Sequence, residues 1–171
     1  MSRMVRFHAF GGAEVLKLEE VAVPAPGIGE VRIAVQAIGL NRADALWREN
    51  LYIEDATLPA GLGNEAAGVI EAVGEGVEGL GVGDRVAVLP GASQGLYPTY
   101  GDRILFPAAH VVRYPANLSA AQAAGAYMAY LTGYFPMFEM ARLQRGQVML
   151  VTGASSGTGI AALQMARVAG I

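Results

Sequence analysis

One glycine-rich turn near the end of the chain carries the residues best suited to bind a charged ligand. An apolar run, Val148–Val151, leads into this turn as a predicted strand, and a helix pattern begins at Ile160. The first N–H groups of a helix have no partner within the helix and carry partial positive charge, which suits a pyrophosphate. The order of strand, turn and helix therefore predicts a dinucleotide phosphate site made by Gly153, Ala154, Ser155, Ser156, Gly157, Thr158, Gly159 and Ile160.

The spacing of the glycines separates several classes of site. Thr152, Gly153, Gly157 and Gly159 form the pattern T-G-x-x-x-G-x-G, whereas G-x-G-x-x-G is met only at its last glycine. A P-loop is excluded, because no lysine follows the glycines. Short-chain dehydrogenases carry this pattern near their first residue and a Tyr-x-x-x-Lys later, and the only lysine here is Lys17. That family is therefore disfavoured, and a tight turn that binds nothing remains an alternative.

The same turn also matches the G-x-S-x-G motif of hydrolases, through Gly153, Ser155 and Gly157. A nucleophilic serine in that motif needs an acid and then a histidine later in the chain. No Asp, Glu or His follows Ser155. The sequence therefore disfavours a hydrolase.

Composition limits the partners and the compartment. Of the 171 residues 53% are hydrophobic and 16% charged, and the formal net charge is −3. Nucleic acid is excluded as a partner and an anionic membrane is disfavoured, since both require clustered lysine and arginine. Because the chain has no cysteine, disulfides and thiolate metal sites are excluded. No signal peptide is visible, and we expect a cytoplasmic protein.

A long uncharged run, residues 118–138, is the one segment that a hydropathy scan would select as a membrane span. It contains Ser119, Gln122, Thr132 and Pro136, which are unfavourable in a bilayer. We therefore predict a buried helix of a soluble domain and no membrane partner.

The rest of the chain alternates between short strands and glycine turns. Apolar residues at every second position predict a strand at 31–36. Similar runs predict strands at 5–10, 15–18, 67–73, 85–89 and 110–114, and residues 42–49 predict one helix. From Ser119 the pattern becomes helical, with the capping-box spacing to Gln122. The predicted fold class is α/β, with a small β-barrel domain at 1–118 and, at 119–171, the first strand and helix of a doubly wound parallel sheet.

Four motifs resemble those of the medium-chain dehydrogenase/reductase superfamily, also called the alcohol dehydrogenase superfamily. They are Gly39–Tyr52, similar to the quinone-reductase substrate loop; Gly63–Gly74, similar to G-H-E-x-x-G-x-V-x-x-V-G; Gly81–Val86, similar to the G-D-R-V turn; and Leu131–Gly133, similar to the helix that enters the cofactor cleft. The order of the motifs makes the match specific, and it covers the whole chain. The branch that it resembles is the zinc-independent quinone oxidoreductases. This resemblance implies a GroES-like barrel followed by a Rossmann domain, with the active site between them.

The resemblance also implies a reaction and its residues. NADPH, rather than NADH, is expected to give a hydride to a quinone or to an activated enone or carbonyl compound, which is the small-molecule substrate. Asn41 and Tyr52 match the substrate loop and are the expected catalytic residues, with Asn41 also near the cofactor. Thr132 is expected to contact the nicotinamide amide, and Gly153–Ile160 the pyrophosphate. The full-length protein is expected to be a homodimer.

Departures from the family pattern concern zinc. Zinc enzymes of the superfamily hold the metal with a cysteine and with the histidine of the motif at Gly63–Gly74, where this chain has Asn64. An amide is a poor zinc ligand, and there is no cysteine to assist it. The cysteine-rich lobe is replaced by residues 91–97, and His8 and His110 stand alone on predicted strands. We therefore predict no bound metal.

Several readings remain open at this level. Asp44 and Arg48 are spaced as a helix ion pair but could equally belong to a site, and Glu65 is compatible with a structural carboxylate. The chain ends one helix after the glycine turn, so the strand that distinguishes NAD from NADP is absent, and we expect the 171 residues alone to be inactive. Alternatives to a quinone reductase are a non-catalytic nucleotide-binding or scaffold relative and a zinc-type alcohol dehydrogenase.

Overall fold

Short antiparallel strands make up most of residues 1–113. The computed structural model describes all 171 residues and contains eight strands. These are β1 (Ser2–Phe7), β2 (Leu16–Val21), β3 (Glu30–Gly39), β4 (Ala60–Gly61), β5 (Glu65–Val73), β6 (Arg85–Val88), β7 (Arg103–Pro107) and β8 (Val111–Arg113). Every pairing between them is antiparallel.

The strands form two sheets, and each sheet covers its own apolar cluster. The five-stranded sheet has the order β7-β3-β5-β6-β8, and the three-stranded sheet the order β2-β1-β4. In the larger sheet Val31 pairs with Val73 and Gly39 with Glu65. Its core contains Val31, Ile33, Ala66, Ile70, Val86, Val88, Ile104, Phe106 and Val111. A second cluster, which packs beside the smaller sheet, contains Phe7, Trp47, Ala60 and Leu62.

Two α-helices accompany these sheets. Helix α1 (Arg42–Arg48) connects β3 to the segment before β4, and helix α2 (Ala120–Ala124) follows β8 and packs against β3 and β5. Two short 3-10 turns lie at Ala13–Val15 and Ala108–His110. The N-cap of α2 is Ser119, whose hydroxyl oxygen accepts from the Gln122 N–H at 3.2 Å while the Gln122 side chain accepts from the Ser119 N–H at 2.9 Å. The predicted capping box is therefore present.

The α/β fold class predicted from the sequence is confirmed, and each predicted strand of residues 1–118 overlaps an observed one. The predicted helix at 42–49 is α1. Strand β7 was missed, because its five residues, Arg103–Pro107, end in a proline and show little alternation. The strand β4 was missed because it has only two residues.

A second group of helices forms residues 126–171. Helix α3 (Tyr127–Tyr134) continues into a π-helical segment, Phe135–Met140, and helix α4 (Gly157–Ala169) follows the glycine-rich turn. Met137, Ala162 and Ala166 are the buried core of this group. Gly133 allows α3 to approach α4, since a Cβ there would lie 2.8 Å from Cε of Met165.

Two predictions for this region are wrong. No strand forms at Val148–Val151, and the side chains of Val148 and Leu150 are 95% and 91% exposed. A strand requires a neighbour to accept and donate ladder hydrogen bonds, and no segment of this chain pairs with these residues. The single buried helix predicted over 118–138 is instead divided into α2, α3 and the π-helical segment, with breaks at Gly125 and near Pro136. None of the helices is both long and apolar enough to span a bilayer.

Two compact units divide the chain, Met1–Gly125 and Ala126–Ile171. Helix α2 lies in the first unit, because it packs against β3 and β5. The functional division at residue 118 that the sequence suggested stays a prediction.

Gly68 offers a test of the packing between the two central strands. A Cβ at Gly68 would lie 2.0 Å from the carbonyl oxygen of Ala34 on β3, whereas one at Gly81 would meet nothing closer than 4.0 Å. We expect Gly68→Ala to lower the free energy of unfolding by about 1–3 kcal/mol or more, because the strands must separate. Gly81→Ala, the matched control, should change it by less than about 0.5 kcal/mol. Urea unfolding of both variants measures the difference, and equal midpoints would contradict this packing.

Candidate functional site

Asn41 lies where strand β3 passes into helix α1. It is the N-cap residue of α1, with φ −128° and ψ 152°. Its main-chain N–H donates to Oδ2 of Asp44 at 2.9 Å, which is the reason the helix begins here. Its side-chain Nδ2 donates to Oε2 of Glu65, the first residue of β5, at 2.9 Å. Asn41 is therefore held at both its main chain and its side chain, and one hydrogen of its Nδ2 remains for another acceptor.

Asp44 is the centre of a buried polar cluster. Its side chain accepts from Asn64 Nδ2 at 3.0 Å and from the Tyr100 hydroxyl at 3.0 Å, in addition to the Asn41 N–H. Asp44 and Asn64 are only 3% and 7% exposed. Burial raises the pKa of Asp44, although its hydrogen-bond donors act in the opposite direction. Burial and the neighbouring Asp44 also raise the pKa of Tyr100, so that its hydroxyl stays protonated.

Arg48 does not pair with Asp44, so the ion-pair reading of these two residues is wrong. The Arg48 guanidinium lies 3.0 Å from Oε1 of Glu49 instead. Asp44 points toward Asn64 and Tyr100, which satisfy its oxygens inside the unit. The other half of the alternative, that Asp44 belongs to a site, stays a prediction.

Tyr52 follows α1 and packs on the opposite end of that helix from Asn41. Its ring meets Trp47 edge to face, with the centroids 6.3 Å apart and the planes at 81°. Trp47 is itself fixed, since its Nε1 donates to the carbonyl of Gly61 at 2.9 Å. The hydroxyl of Tyr52 makes no hydrogen bond within the chain. Asn41 precedes α1 as its N-cap, and Tyr52 follows α1 and packs on Trp47 of that helix.

The residues present do not fit a zinc ion. Asn64, at the position of the zinc-binding histidine, has its Nδ2 turned to Asp44. No group of three or more His, Cys, Asp or Glu side chains lies close enough together to hold a metal. Nε2 of His8 lies 2.6 Å from Oε1 of Glu19, which is on strand β2 of the smaller sheet. The donor set near Asn64 therefore consists of amides, carboxylates and a phenol, which hydrogen bonds already occupy.

The glycine-rich turn forms a cradle of main-chain N–H groups at the start of α4. The helix begins at Gly157, three residues before the predicted start at Ile160, because Ser156 is its N-cap. The Gly159 N–H donates to Oγ of Ser156 at 3.0 Å, and the Ile160 N–H donates to the Ser156 carbonyl at 2.8 Å. The N–H groups of Gly157 and Thr158 have no partner within the chain. These two groups are available to an anion.

Close packing fixes the shape of this turn. A Cβ at Gly159 would lie 2.4 Å from the carbonyl oxygen of Gly153 and 2.8 Å from Cα of Ala154. Gly153 has φ +63°, which favours glycine. Ser155 is exposed at the tip of the turn and makes no hydrogen bond within the chain. The turn and the cradle are therefore one compact feature of the second unit.

Thr132 lies on α3, with an exposed side chain. Its hydroxyl donates to the carbonyl of Met128, one turn earlier in the helix, at 2.6 Å. Since its hydrogen is used within the helix, the Thr132 oxygen can act toward a ligand only as an acceptor. That is the role needed for contact with a carboxamide N–H.

Sequence reasoning missed two residues beside the Asp44 cluster, the half-buried Tyr100 and the buried Gln94. Tyr100 donates to Asp44, as described, and Gln94 accepts from the Gly63 N–H at 3.1 Å while its own Nε2 has no partner. Gln94 is 1% exposed. Both residues come from the loop between β6 and β7, and no local pattern indicates which partner in the fold they meet.

The sequence is similar to a known protein family and to several curated proteins. Residues 27–133 match the alcohol dehydrogenase GroES-like domain. The chain is 37% identical over 174 residues to a rat quinone oxidoreductase, with 100% of this chain and 51% of that protein covered. It is 38% identical over 160 residues to the rat synaptic vesicle membrane protein VAT-1 homolog, with 92% of this chain and 38% of that protein covered.

Solved structures show the same relationship. The Escherichia coli quinone oxidoreductase in complex with NADPH has a TM-score of 0.87 and 32% identity, covering 99% of this chain and 50% of that one. An NAD-dependent alcohol dehydrogenase has a TM-score of 0.92 and 33% identity, covering 98% and 55%. The chain spans about half the length of the quinone oxidoreductases that it matches, 51% of the rat protein.

The cap of α4 provides one test of the cradle. Ser156→Ala removes the oxygen that accepts from the Gly159 N–H and should lower the free energy of unfolding by about 1 kcal/mol. Ser155→Ala, a neighbouring serine without such a hydrogen bond, is the matched control and should have little effect. Chemical unfolding monitored by helical circular dichroism compares the two. A loss in the Ser155 variant as large as in the Ser156 variant would show that the cap is not at Ser156.

The buried carboxyl of Asp44 provides a test against pH. Because folding raises its pKa, the folded state binds this proton more tightly than the unfolded state. Stability due to Asp44 is therefore fully present below the ordinary Asp pKa, about 3.9, and is lost as the pH rises through the raised value. We expect Asp44→Asn to remove this decline from unfolding free energies measured across that window.

Asp102 is the matched control for that measurement. Its hydrogen bond from Arg3 lowers the pKa of Asp102, so its contribution is present above the ordinary Asp pKa and is lost as the pH falls. Asp102→Asn should therefore change the pH dependence with the opposite sign. An Asp44→Asn variant that keeps the wild-type slope would contradict the burial of a titrating Asp44.

Proposed function

The chain belongs to the family of the alcohol dehydrogenase GroES-like domain, in the medium-chain dehydrogenase/reductase superfamily, and we propose on this premise that the whole protein is an oxidoreductase. Its proposed reaction is the transfer of hydride from NADPH to a quinone or an activated enone or carbonyl compound. The observation that carries the proposal is the cradle before α4, where the N–H groups of Gly157 and Thr158 have no partner within the chain. An anionic pyrophosphate is the ligand that such a helix start favours.

The cofactor is proposed to lie along the second unit. Gly157 and Thr158 bind its pyrophosphate through their main-chain N–H groups. The close packing of Gly159 against Gly153 keeps the turn compact, so that the phosphate can approach these groups. Thr132 accepts from the nicotinamide carboxamide, since its own hydrogen is bonded to Met128. When bound, the nicotinamide supplies the hydride from its C4 atom.

NADPH is preferred over NADH on the strength of similarity. The quinone oxidoreductase structure with bound NADPH supports this preference, whereas a similar alcohol dehydrogenase is described as NAD-dependent. The residue that distinguishes the two cofactors normally lies on the next strand, beyond Ile171. We also propose a homodimer of the whole protein, which is expected only from the family resemblance of the sequence motifs.

Asn41 and Tyr52 are proposed to act on the substrate. As hydride arrives at a carbonyl or quinone carbon, negative charge develops on the oxygen and requires hydrogen-bond donors. Asn41 keeps one Nδ2 hydrogen free of Glu65 for that oxygen. We propose that the Tyr52 hydroxyl, which makes no hydrogen bond within the chain, or solvent gives a proton to the reduced product. The ring of Trp47 holds Tyr52 in place.

Zinc is not part of the proposed mechanism. The position that would supply an imidazole is Asn64, whose amide is bonded to Asp44. Amide and carboxylate groups satisfied by each other are a poor zinc site, so the oxygen of the substrate must be stabilised by hydrogen bonds alone.

Substitution of the two proposed catalytic residues in the full-length protein tests this function. Asn41→Ala and Tyr52→Phe should each lower the kcat for NADPH-dependent reduction of a benzoquinone by about 10- to 1000-fold, because each removes a group aimed at the reacting oxygen or its proton. Asn117→Ala and Tyr97→Phe remove the same groups from other positions of the first unit and serve as matched controls. Stopped-flow or steady-state absorbance at the NADPH band measures the rates.

Two results would contradict the assignment. If all four variants keep the wild-type rate, Asn41 and Tyr52 are not catalytic. If the full-length protein binds NADPH, as measured by its fluorescence, but reduces neither quinones nor enones, the protein is a nucleotide-binding relative without this activity.

A further inference from the structure

The proposed hydride transfer makes no use of Asp44, although it is among the most deeply buried charged residues of the chain. Its side chain is 3% exposed, and its three hydrogen-bond partners come from separate segments. The Asn41 N–H lies at 2.9 Å on α1, Asn64 Nδ2 at 3.0 Å before β5, and the Tyr100 hydroxyl at 3.0 Å before β7. Burying a carboxyl is costly unless every oxygen is satisfied, so such an arrangement is specific.

The carboxylate determines which way the neighbouring amide faces. An asparagine side chain donates from its nitrogen and accepts with its oxygen, whereas an ionised carboxylate only accepts. Asn64 must therefore turn its Nδ2 to Asp44, and its carbonyl oxygen points away. The alternative flip would place two acceptors against each other at about 3 Å, which is repulsive.

The same carboxylate also fixes Asn41 through the main chain. Oδ2 of Asp44 accepts from the Asn41 N–H, and the side chain of Asn41 then reaches Oε2 of Glu65 at 2.9 Å. A shift of the first turn of α1 would break both contacts together. Asp44 thus connects the orientation of Asn64 to the position of Asn41.

We propose that Asp44 is a positioning residue, whose buried carboxylate fixes the amide of Asn64 and holds Asn41 in the orientation in which Asn41 meets the substrate. This inference rests on the proposed function, because it assigns Asn41 to the reacting oxygen. Asp44 itself touches neither substrate nor cofactor in this scheme and acts through Asn41.

Protonation of Asp44 weakens this arrangement. A neutral carboxyl carries an O–H that faces donors, so at least one of its three hydrogen bonds must reverse its direction or weaken. The other titratable or charged groups around it are Tyr100 from the loop before β7, Glu65 from β5 and Arg48 on α1 itself. The raised pKa of Tyr100 keeps its hydroxyl protonated as the pH falls. Burial raises the pKa of Asp44, so the loss begins at a higher pH than for an exposed aspartate.

Kinetics of the full-length protein test the proposal first. Asp44→Asn should lower kcat with benzoquinone by about 10- to 100-fold, because Asn41 moves out of position. The dissociation constant of NADPH, measured by fluorescence, should change much less than kcat, since the cradle proposed to bind the pyrophosphate lies in the other unit. In the dependence of kcat on pH, the fall at low pH that is due to protonation of Asp44, called the acid limb, should disappear. Asp102→Asn, an exposed carboxylate paired with Arg3, should keep both kcat and the acid limb.

A milder variant keeps the proposal testable if Asp44→Asn does not fold. Tyr100→Phe removes one donor to the carboxylate and leaves the other two. Because a donor that favoured the ionised form is lost, the acid limb should move to higher pH, with a fall in kcat smaller than that of Asp44→Asn. An unshifted acid limb in Tyr100→Phe, or a wild-type kcat in folded Asp44→Asn, would overturn the proposal.

NMR of the side-chain amides provides a readout that does not depend on turnover. The Asn64 NH2 signals of the full-length protein, assigned by their loss in Asn64→Asp, should shift as the pH falls through the pKa of Asp44. They should not shift in this range in Asp44→Asn. If they titrate as expected but no quinone is reduced, the proposed function fails while the role of Asp44 in holding Asn64 stands. If they do not titrate in the wild type, the positioning proposal is wrong whatever the activity.

Discussion

A buried carboxylate that receives donors from three segments of the chain is the constraint on which the site of the first unit depends. Asp44 connects α1 to the residue before β5 and to the loop before β7. Without it, the apolar packing of Trp47 would still anchor α1, but the start of the helix would be held only through the side chain of Asn41 on Glu65. The polar contacts therefore supply orientation, and the apolar cluster supplies most of the stability.

The two units have different proposed roles, and residues within each unit account for its role. In the proposed function the first unit holds donors near an uncharged substrate, with side chains fixed by buried hydrogen bonds. The second unit is proposed to bind an anion through the unpaired main-chain N–H groups of Gly157 and Thr158. Val148 and Leu150 are exposed and form no strand, because no segment of the chain pairs with them. Family membership supports the proposal that both features belong to one oxidoreductase.

Local patterns were sufficient to predict much of the fold. Alternation located the strands of the barrel, and the glycine turn located the cradle, because both depend on neighbours in sequence. The long-range partners of Asp44 were not predictable from the sequence. A spacing of one helical turn is equally compatible with an ion pair to Arg48, yet the side chain of Asp44 contacts Asn64 and Tyr100. The strand at Val148–Val151 failed for a related reason, since strand formation requires a partner that a local pattern does not describe.

We propose that amides and carboxylates, rather than a zinc ion, organise the site around Asn64. The direct test is to measure metal content and quinone reductase activity together on the same full-length preparation, by elemental mass spectrometry and NADPH oxidation. We predict full activity with zinc far below one ion per chain, unchanged after dialysis against a chelator. Activity that rises and falls with one bound zinc per chain would contradict the account.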